Sequence, residues 1–199
     1  SCMDIQEYLP ARYYPTFNSD PLQLYQDLIP ELSETFISWD DDIFLTKDIE
    51  PDIFQADGKL ACYGFPQHKL GGGRWGKMQS TLLEANPEWA FFNAHMPHIL
   101  SQSACREMRR NYPTLIHKAS SDIIRKENWL GGTDAIHSLA SDHFTPVIND
   151  NRGRPMTEYL GYNDLMANEY KRKTDRPFLC INNFAGQGPE KYEEFLNSL

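Results

Sequence analysis

Three consecutive carboxylates, Asp40, Asp41 and Asp42, sit inside an apolar run. Phe36 and Ile37 precede them, and Ile43, Phe44 and Leu45 follow at once. Phe36 and Ile37 are expected to end a buried strand. Acids wedged between core residues cannot be solvated as a surface tail would be, and buried unpaired carboxylates are costly. They need a cation, a positive side chain or a crevice open to water. Carboxylate oxygens suit hard divalent ions such as Mg2+ or Mn2+. Strand ends beside a crevice are where sheet proteins place metal and phosphate chemistry. Neighbouring residues on a strand point to opposite faces, so one of Asp41 and Asp42 could bind metal while the other holds a loop. The plain alternative is that the acids cap a helix or turn.

Two other segments carry chemically useful residues. His95-Met96-Pro97-His98 follows an apolar stretch from Trp89 to Ala94. An imidazole with an ordinary pKa of about 6.5 can serve as a general base, or simply satisfy a turn. Gly71-Gly72-Gly73-Arg74-Trp75-Gly76 is glycine-rich but lacks the Gly-Lys-Ser/Thr ending of a phosphate loop. It reads as a mobile loop, or as a lid with Arg74 and Trp75 at its tip and Arg74 binding substrate.

The elements that must position these groups alternate between strand and helix. Asp20 before Pro21 marks a helix start, with Leu22, Tyr25, Leu28 and Ile29 on one face up to Pro30. Thr35 to Trp39 is a strand that delivers the acids. Asp57-Gly58 is a turn followed by a strand from Leu60 to Phe65. The segment from Trp89 to Ala94 is another strand. The helix after His98 takes Ser103 as its cap and stops at Pro113. Gly131-Gly132-Thr133 opens a helix with Ile136, Leu139 and Ala140 inward. Asn149 to Pro155 is a polar loop, Tyr159 to Lys171 a helix, Pro177 to Ile181 a strand, and Gly188-Pro189 opens a last helix. This alternation implies an α/β fold with a site at the strand ends.

Composition bounds the function. At 199 residues with 40% hydrophobic and 13% aromatic content, the chain can bury a substantial core in one domain. Its net charge of −9 argues against a nucleic-acid surface. Arg106, Arg109 and Arg110, and again Lys171, Arg172 and Lys173, read as solvated helix surface. Cys2, Cys62, Cys105 and Cys180 form no Cys-x-x-Cys pair and fit free thiols of a reducing compartment. No apolar run approaches the roughly 20 residues of a membrane helix, so no integral membrane segment is expected.

Several of these residues together resemble the Stealth family. Pro15-Thr16-Phe17-Asn18-Ser19, then Ile29-Pro30-Glu31-Leu32-Ser33-Glu34, then Asp41-Asp42-Ile43-Phe44-Leu45 are similar to its second conserved region. His95-Met96-Pro97-His98, the following helix, Tyr112-Pro113, Ser120-Ser121 and Arg125 resemble its third. Cys180-Ile181-Asn182-Asn183 resembles its fourth.

The resemblance implies a hexose-1-phosphate transferase of capsular or surface polysaccharide synthesis. Such an enzyme takes a sugar 1-phosphate from a nucleotide-sugar donor to a hydroxyl of a saccharide acceptor, leaving a phosphodiester. The implied fold is α/β, a mixed sheet flanked by helices, like that of nucleotide-sugar transferases (GT-A-like) and in whole or in part. The implied cofactor is Mg2+ or Mn2+ at Asp40, Asp41 and Asp42. His95 becomes the general base, with His98 second to it, Arg125 the phosphate clamp and Asp42 a catalytic acid residue. Asn18 and Asn183 join Arg74 as substrate-binding residues. The expected location is the cytoplasm, with peripheral attachment to the inner membrane as the variant.

Three departures accompany the resemblance. The family's first region, near the donor nucleotide, is absent, so residues 1–199 are expected to be a catalytic domain or fragment without its N-terminal donor strand. Asp40 stands where the family has Asn. Asn183 stands where the family has an acid, and an amide cannot be an anionic ligand. Two other functions stay open on these residues. One is a metal-dependent glycosyltransferase using Asp40-x-Asp42. The other is a non-catalytic carbohydrate-binding derivative of the enzyme fold.

Overall fold

The acidic turn joins two short strands that belong to different sheets. The computed structural model describes residues 3–66, 73–89, 91–93, 95–124, 128–148, 157–160 and 177–181. In chain order its strands are β1 (Thr35–Ser38), β2 (Ile43–Leu45), β3 (Gln55–Ala56), β4 (Lys59–Pro66), β5 (Phe91–Asn93), β6 (His98–Ser101), β7 (Phe144–Ile148), β8 (Thr157–Leu160) and β9 (Phe178–Ile181). Its α-helices are α1 (Ser19–Leu24), α2 (Gly73–Ala85), α3 (Gln102–Asn111), α4 (Pro113–Ser120) and α5 (Gly132–Leu139). The described residues thus form a mixed α/β structure of small sheets flanked by helices.

β1 pairs antiparallel with β6, Phe36 opposite Leu100 and Ser38 opposite His98. β2 pairs antiparallel with β9, Ile43 opposite Cys180, and β9 pairs in parallel with β8. The third sheet is built on β4. It forms a hairpin with β3, pairs antiparallel with β5 and lies parallel to β7. The β3–β4 turn has positive φ at Asp57 (50°) and Gly58 (76°), the backbone a two-residue hairpin with the right twist requires.

Several expectations are corrected. Ile37 is 44% exposed, because among the described residues β1 pairs with β6 alone and buries one face, that of Phe36. Residues 73–76 are the first turn of α2 rather than a loop; Gly71 and Gly72 lie outside the described residues. Ser101, not Ser103, caps α3, its hydroxyl accepting from Ala104 N at 3.1 Å. Tyr159 and Leu160 are strand, drawn into the ladder with β9, whereas residues 161–171 lie outside the described residues, as do the loop 149–155 and the last helix. Arg109 is not solvated surface. It closes a two-pronged pair on Asp27 at 2.5 and 2.6 Å, and Asp27 is 5% exposed. Lys171, Arg172 and Lys173 lie outside the described residues.

Asp20 is not the cap of α1 either. Asn18 is: its Oδ1 accepts from Asp20 N at 3.1 Å. Its Nδ2 donates to Ala119 O at 3.0 Å and to Asp122 O at 3.3 Å, tying the start of α1 to the end of α4. Asn18 is 1% exposed, so its amide is committed to the fold and not to a substrate. Asp20 is fully buried and accepts from Leu130 N at 2.6 Å, which fixes the segment entering α5.

The main core gathers Leu24, Met78, Leu100, Met108 and Ile136. A smaller one gathers Ile43, Phe54, Met96, Ile99 and Phe178. Each such side chain contributes about 1.5–3 kcal/mol when removed from water. A buried imidazole, His137, lies edge-on to Phe144 at 4.4 Å and faces His98 at 5.4 Å between centroids. Burial pushes His137 down to about 3 and His98 down to about 4.

Two outcomes follow. Asn18→Ala should lower unfolding stability by at least about 1–2 kcal/mol in denaturant titration, through the lost cap and the two carbonyls left unpaired. A change within about 0.5 kcal/mol would remove this role for Asn18. A histidine held neutral by the fold takes up its proton only on unfolding, so its contribution is present above about pH 6.5 and lost as pH falls toward its folded value. The stability of the native protein relative to His137→Gln should therefore fall by about 1.4 kcal/mol per pH unit below that point. A difference that does not change with pH would show His137 exposed or charged in the fold.

Candidate functional site

The turn carrying the acids is pinned at both ends. Trp39 Nε1 donates to Ile43 O at 2.8 Å, bridging the three acids. Ile43 N donates to Asp40 O at 3.3 Å. The Trp39 ring also meets Phe178 edge-on at 5.7 Å, which anchors the turn to β9. The backbone of the turn is therefore held by neighbours, and its carboxylates extend outward.

They extend into a cavity of about 490 Å³. Asp40, Asp41, Asp42 and Asp134 contribute carboxylates to its wall, and His95 and His98 contribute imidazoles. Asn93, Trp75 and Trp129 complete much of the remainder. The wall draws on the β1–β2 turn, the end of β5, the β5–β6 connection, the first turn of α2 and the start of α5. The cavity thus lies where strand ends meet helix starts.

At its centre His95 Nε2 lies 3.3 Å from Asp40 Oδ2 and 3.3 Å from Asp42 Oδ1. The bond to Asp40 chiefly raises the His95 pKa above its ordinary value; burial works against it, and the charges of Asp42 and Asp40 support it. His98 lies deeper. Burial lowers it to about 4, with Asp40 opposing and His95 assisting, so it stays neutral where His95 takes up a proton. Cys180 Sγ donates to Asp42 Oδ2 at 3.7 Å. Gln23 Nε2 donates to Asp40 Oδ1 at 3.5 Å.

Asp40, Asp41 and Asp42 all line the cavity and offer carboxylate oxygens, the donor type a hard divalent ion takes. Ligand atoms of Asp42, His95 and Cys180 also lie within 4.8 Å of one another, adding nitrogen and sulfur donors that borderline ions accept more readily than Mg2+ does. The carboxylates alone match the donor preference of Mg2+ or Mn2+, whereas the sulfur of Cys180 matches a softer ion such as Zn2+.

Of the expected site residues, the structure brings together Asp40, Asp41, Asp42 and His95. Asn18 lies in the fold's interior, as described above. Arg125 and Asn183 lie outside the described residues, and of Arg74 only the backbone, in α2, is described.

The structure adds Asp134, which sequence reasoning missed. It is half-buried on the first turn of α5, and Asn93 N donates to its Oδ1 at 3.2 Å. Burial pushes its pKa up to about 7, against the lowering effect of that bond. The available signal was Gly131-Gly132 just before it. Gly131 has φ +63°, and a Cβ there would stand 2.9 Å from Met78 Sδ and 3.2 Å from Asp134 Oδ2. Only glycine lets the chain pass this close behind the acid.

No family model matches the chain. It is similar to a capsular polysaccharide phosphotransferase of Actinobacillus pleuropneumoniae, 39% identical over 62 residues, which is 31% of this chain and 17% of that protein. It is similar to a capsular polysaccharide phosphotransferase of Neisseria meningitidis serogroup B, 28% identical over 109 residues, 55% of this chain and 25% of that one. Similarity to an exopolysaccharide phosphotransferase of Mycobacterium leprae runs at 21% identity over 192 residues, 88% of this chain and 35% of that one. The matched part therefore spans between about a sixth and a third of the length of these relatives. Among the described residues no helix is long and apolar enough to cross a membrane. In its matched segments the chain is similar to capsular and exopolysaccharide phosphotransferases, which is consistent with its resemblance to the Stealth family.

Proposed function

We propose that this chain carries acceptor-side catalytic machinery of a transferase that moves a hexose-1-phosphate from a nucleotide-sugar to a sugar hydroxyl in surface polysaccharide synthesis. The single observation that carries the reading is His95 Nε2 at 3.3 Å from both Asp40 and Asp42 in a cavity of about 490 Å³. The printed names of the relatives support the phosphotransferase class. A nucleotide-sugar-transferase-like fold and a donor site completed by other residues belong to the same reading.

Phosphoryl transfer asks mainly for positioning and charge neutralisation. Asp40 and Asp42 face Nε2 from 3.3 Å, and in this reading their charge keeps the proton on that nitrogen and leaves the lone pair of His95 on Nδ1. The pattern is that of a carboxylate orienting a histidine base through its other nitrogen. The acceptor hydroxyl gives its proton to His95 as its oxygen bonds to the phosphorus that carries the sugar. The bond from that phosphorus to the bridging oxygen breaks, and a nucleoside monophosphate leaves. Asp40, Asp41 and Asp42 would hold Mg2+ or Mn2+, which when bound neutralises donor phosphate charge. Arg125, as phosphate clamp, and Asn183 complete the proposal.

In a transfer assay with nucleotide-sugar donors and oligosaccharide acceptors, His95→Asn should lower kcat by about 10²–10⁴-fold with little change in unfolding midpoint. A base must be unprotonated to act. The rate should therefore rise with pH through a value above the ordinary histidine range, and Asp40→Asn should move that rise to lower pH. Product mass should show phosphate retained in the new linkage. A product without phosphate would instead establish a glycosyltransferase, and a His95→Asn variant of full activity would end the mechanism.

A further inference from the structure

We propose that Asn93, Asp134 and Trp75 form a saccharide subsite that holds a neutral pyranose beside His95, through one amide donor, one carboxyl acceptor and one aromatic face. The inference rests on the transferase reading for its place in a reaction, but its three leading observations lie outside the acidic turn.

The first is an unused donor. Asn93 Nδ2 is buried and has no hydrogen-bond partner among the described residues, although Asn93 lines the cavity. The amide is oriented, because its Oδ1 accepts from Cys62 Sγ at 3.1 Å. Burial raises the Cys62 pKa well above its ordinary value, so the thiol keeps the proton it donates. A buried N–H without a partner carries a cost that a ligand oxygen would remove.

The second is an acceptor fixed beside it. The Asn93 backbone N–H donates to Asp134 Oδ1 at 3.2 Å, so one residue supplies the free amide and orients the acid. The close passage of Gly131 shapes the wall next to Asp134 Oδ2. A group facing both side chains must accept from one and donate to the other. A hydroxyl does both with a single atom.

The third is an aromatic surface left in water. Trp75 is 55% exposed at the cavity, while Trp129, 7% exposed, meets it edge-on at 4.6 Å and holds its ring. Pockets that hold small molecules are lined mainly by hydrophobic and aromatic side chains, and Trp75 supplies such a surface here. A pyranose offers what these walls ask for: C–H groups on one face and hydroxyls around the rim. The four carboxylates of the cavity favour a neutral polyol there over a second anion.

Tryptophan fluorescence of the whole protein, titrated with neutral oligosaccharides of hexoses and N-acetylhexosamines, tests this. Saturable quenching is expected. Asp134→Asn should weaken it by about tenfold or more, because with its oxygen held by Asn93 N the amide presents an NH2 donor where the carboxyl offers Oδ2 as acceptor. Asn93→Ala should weaken it to a similar degree. Trp75→Phe should keep binding, monitored by calorimetry, and Trp75→Ala should lose it. Binding unaffected by all of these substitutions, or no binding in the native protein, would overturn the subsite. The two proposals separate cleanly. Binding that obeys these variants in a protein that retains no phosphate in its product would leave the subsite standing and remove the transferase. Transfer that proceeds equally in all four variants would remove the subsite and leave the transferase.

Discussion

Charge balance at the Asp40–Asp42 turn is the constraint on which the site depends. Two carboxylates reach the same imidazole nitrogen at 3.3 Å. At about 4 Å, a unit pair is worth ~1 kcal/mol in water and ~4 kcal/mol at an effective dielectric of about 20. The side chains of His95 and Asp40 are each 37% exposed, so the value lies toward the lower figure. An attraction of that size adds little to stability. It is large enough to choose a tautomer and a ring orientation, which is what a base beside a reacting group requires. Trp39 and Ile43 make the arrangement durable by fixing the backbone of the turn independently of its charges.

Exposure then grades the chemistry of the histidines. His95, at the cavity, is raised by Asp40 and Asp42. His98, one step inward, is lowered to about 4, and His137 behind it to about 3, both by burial. Residue type is constant along this line and solvent access is not, so the change in behaviour comes from the walls. Asp134 shows the same effect with the opposite sign, because burial favours its neutral form.

The acids were legible because three carboxylates in an apolar run demand an explanation at the level of sequence. The Asp57-Gly58 hairpin and the α5 start were legible for a similar local reason, since turn and glycine chemistry act within a few residues. What escaped depended on distant partners. Arg109 looks like surface charge until Asp27, 82 residues away, closes on it. Asp134 looks like an ordinary first-turn acid until Asn93, 41 residues away, binds it. β6 is a four-residue strand running directly into α3, and pairing with β1 rather than its own pattern makes it a strand. Residues 73–76 read as a loop because their glycines favour flexibility, whereas in the fold they begin α2.

The ionisation of His95 tests the central claim most directly. Nuclear magnetic resonance titration of the histidine ring protons should give His95 an apparent pKa above about 6.5. It should fall in Asp40→Asn and again in the double substitution with Asp42→Asn. A His95 pKa at or below the ordinary value, unmoved by either substitution, would show that the imidazole does not share the hollow with these carboxylates, and the account would fail.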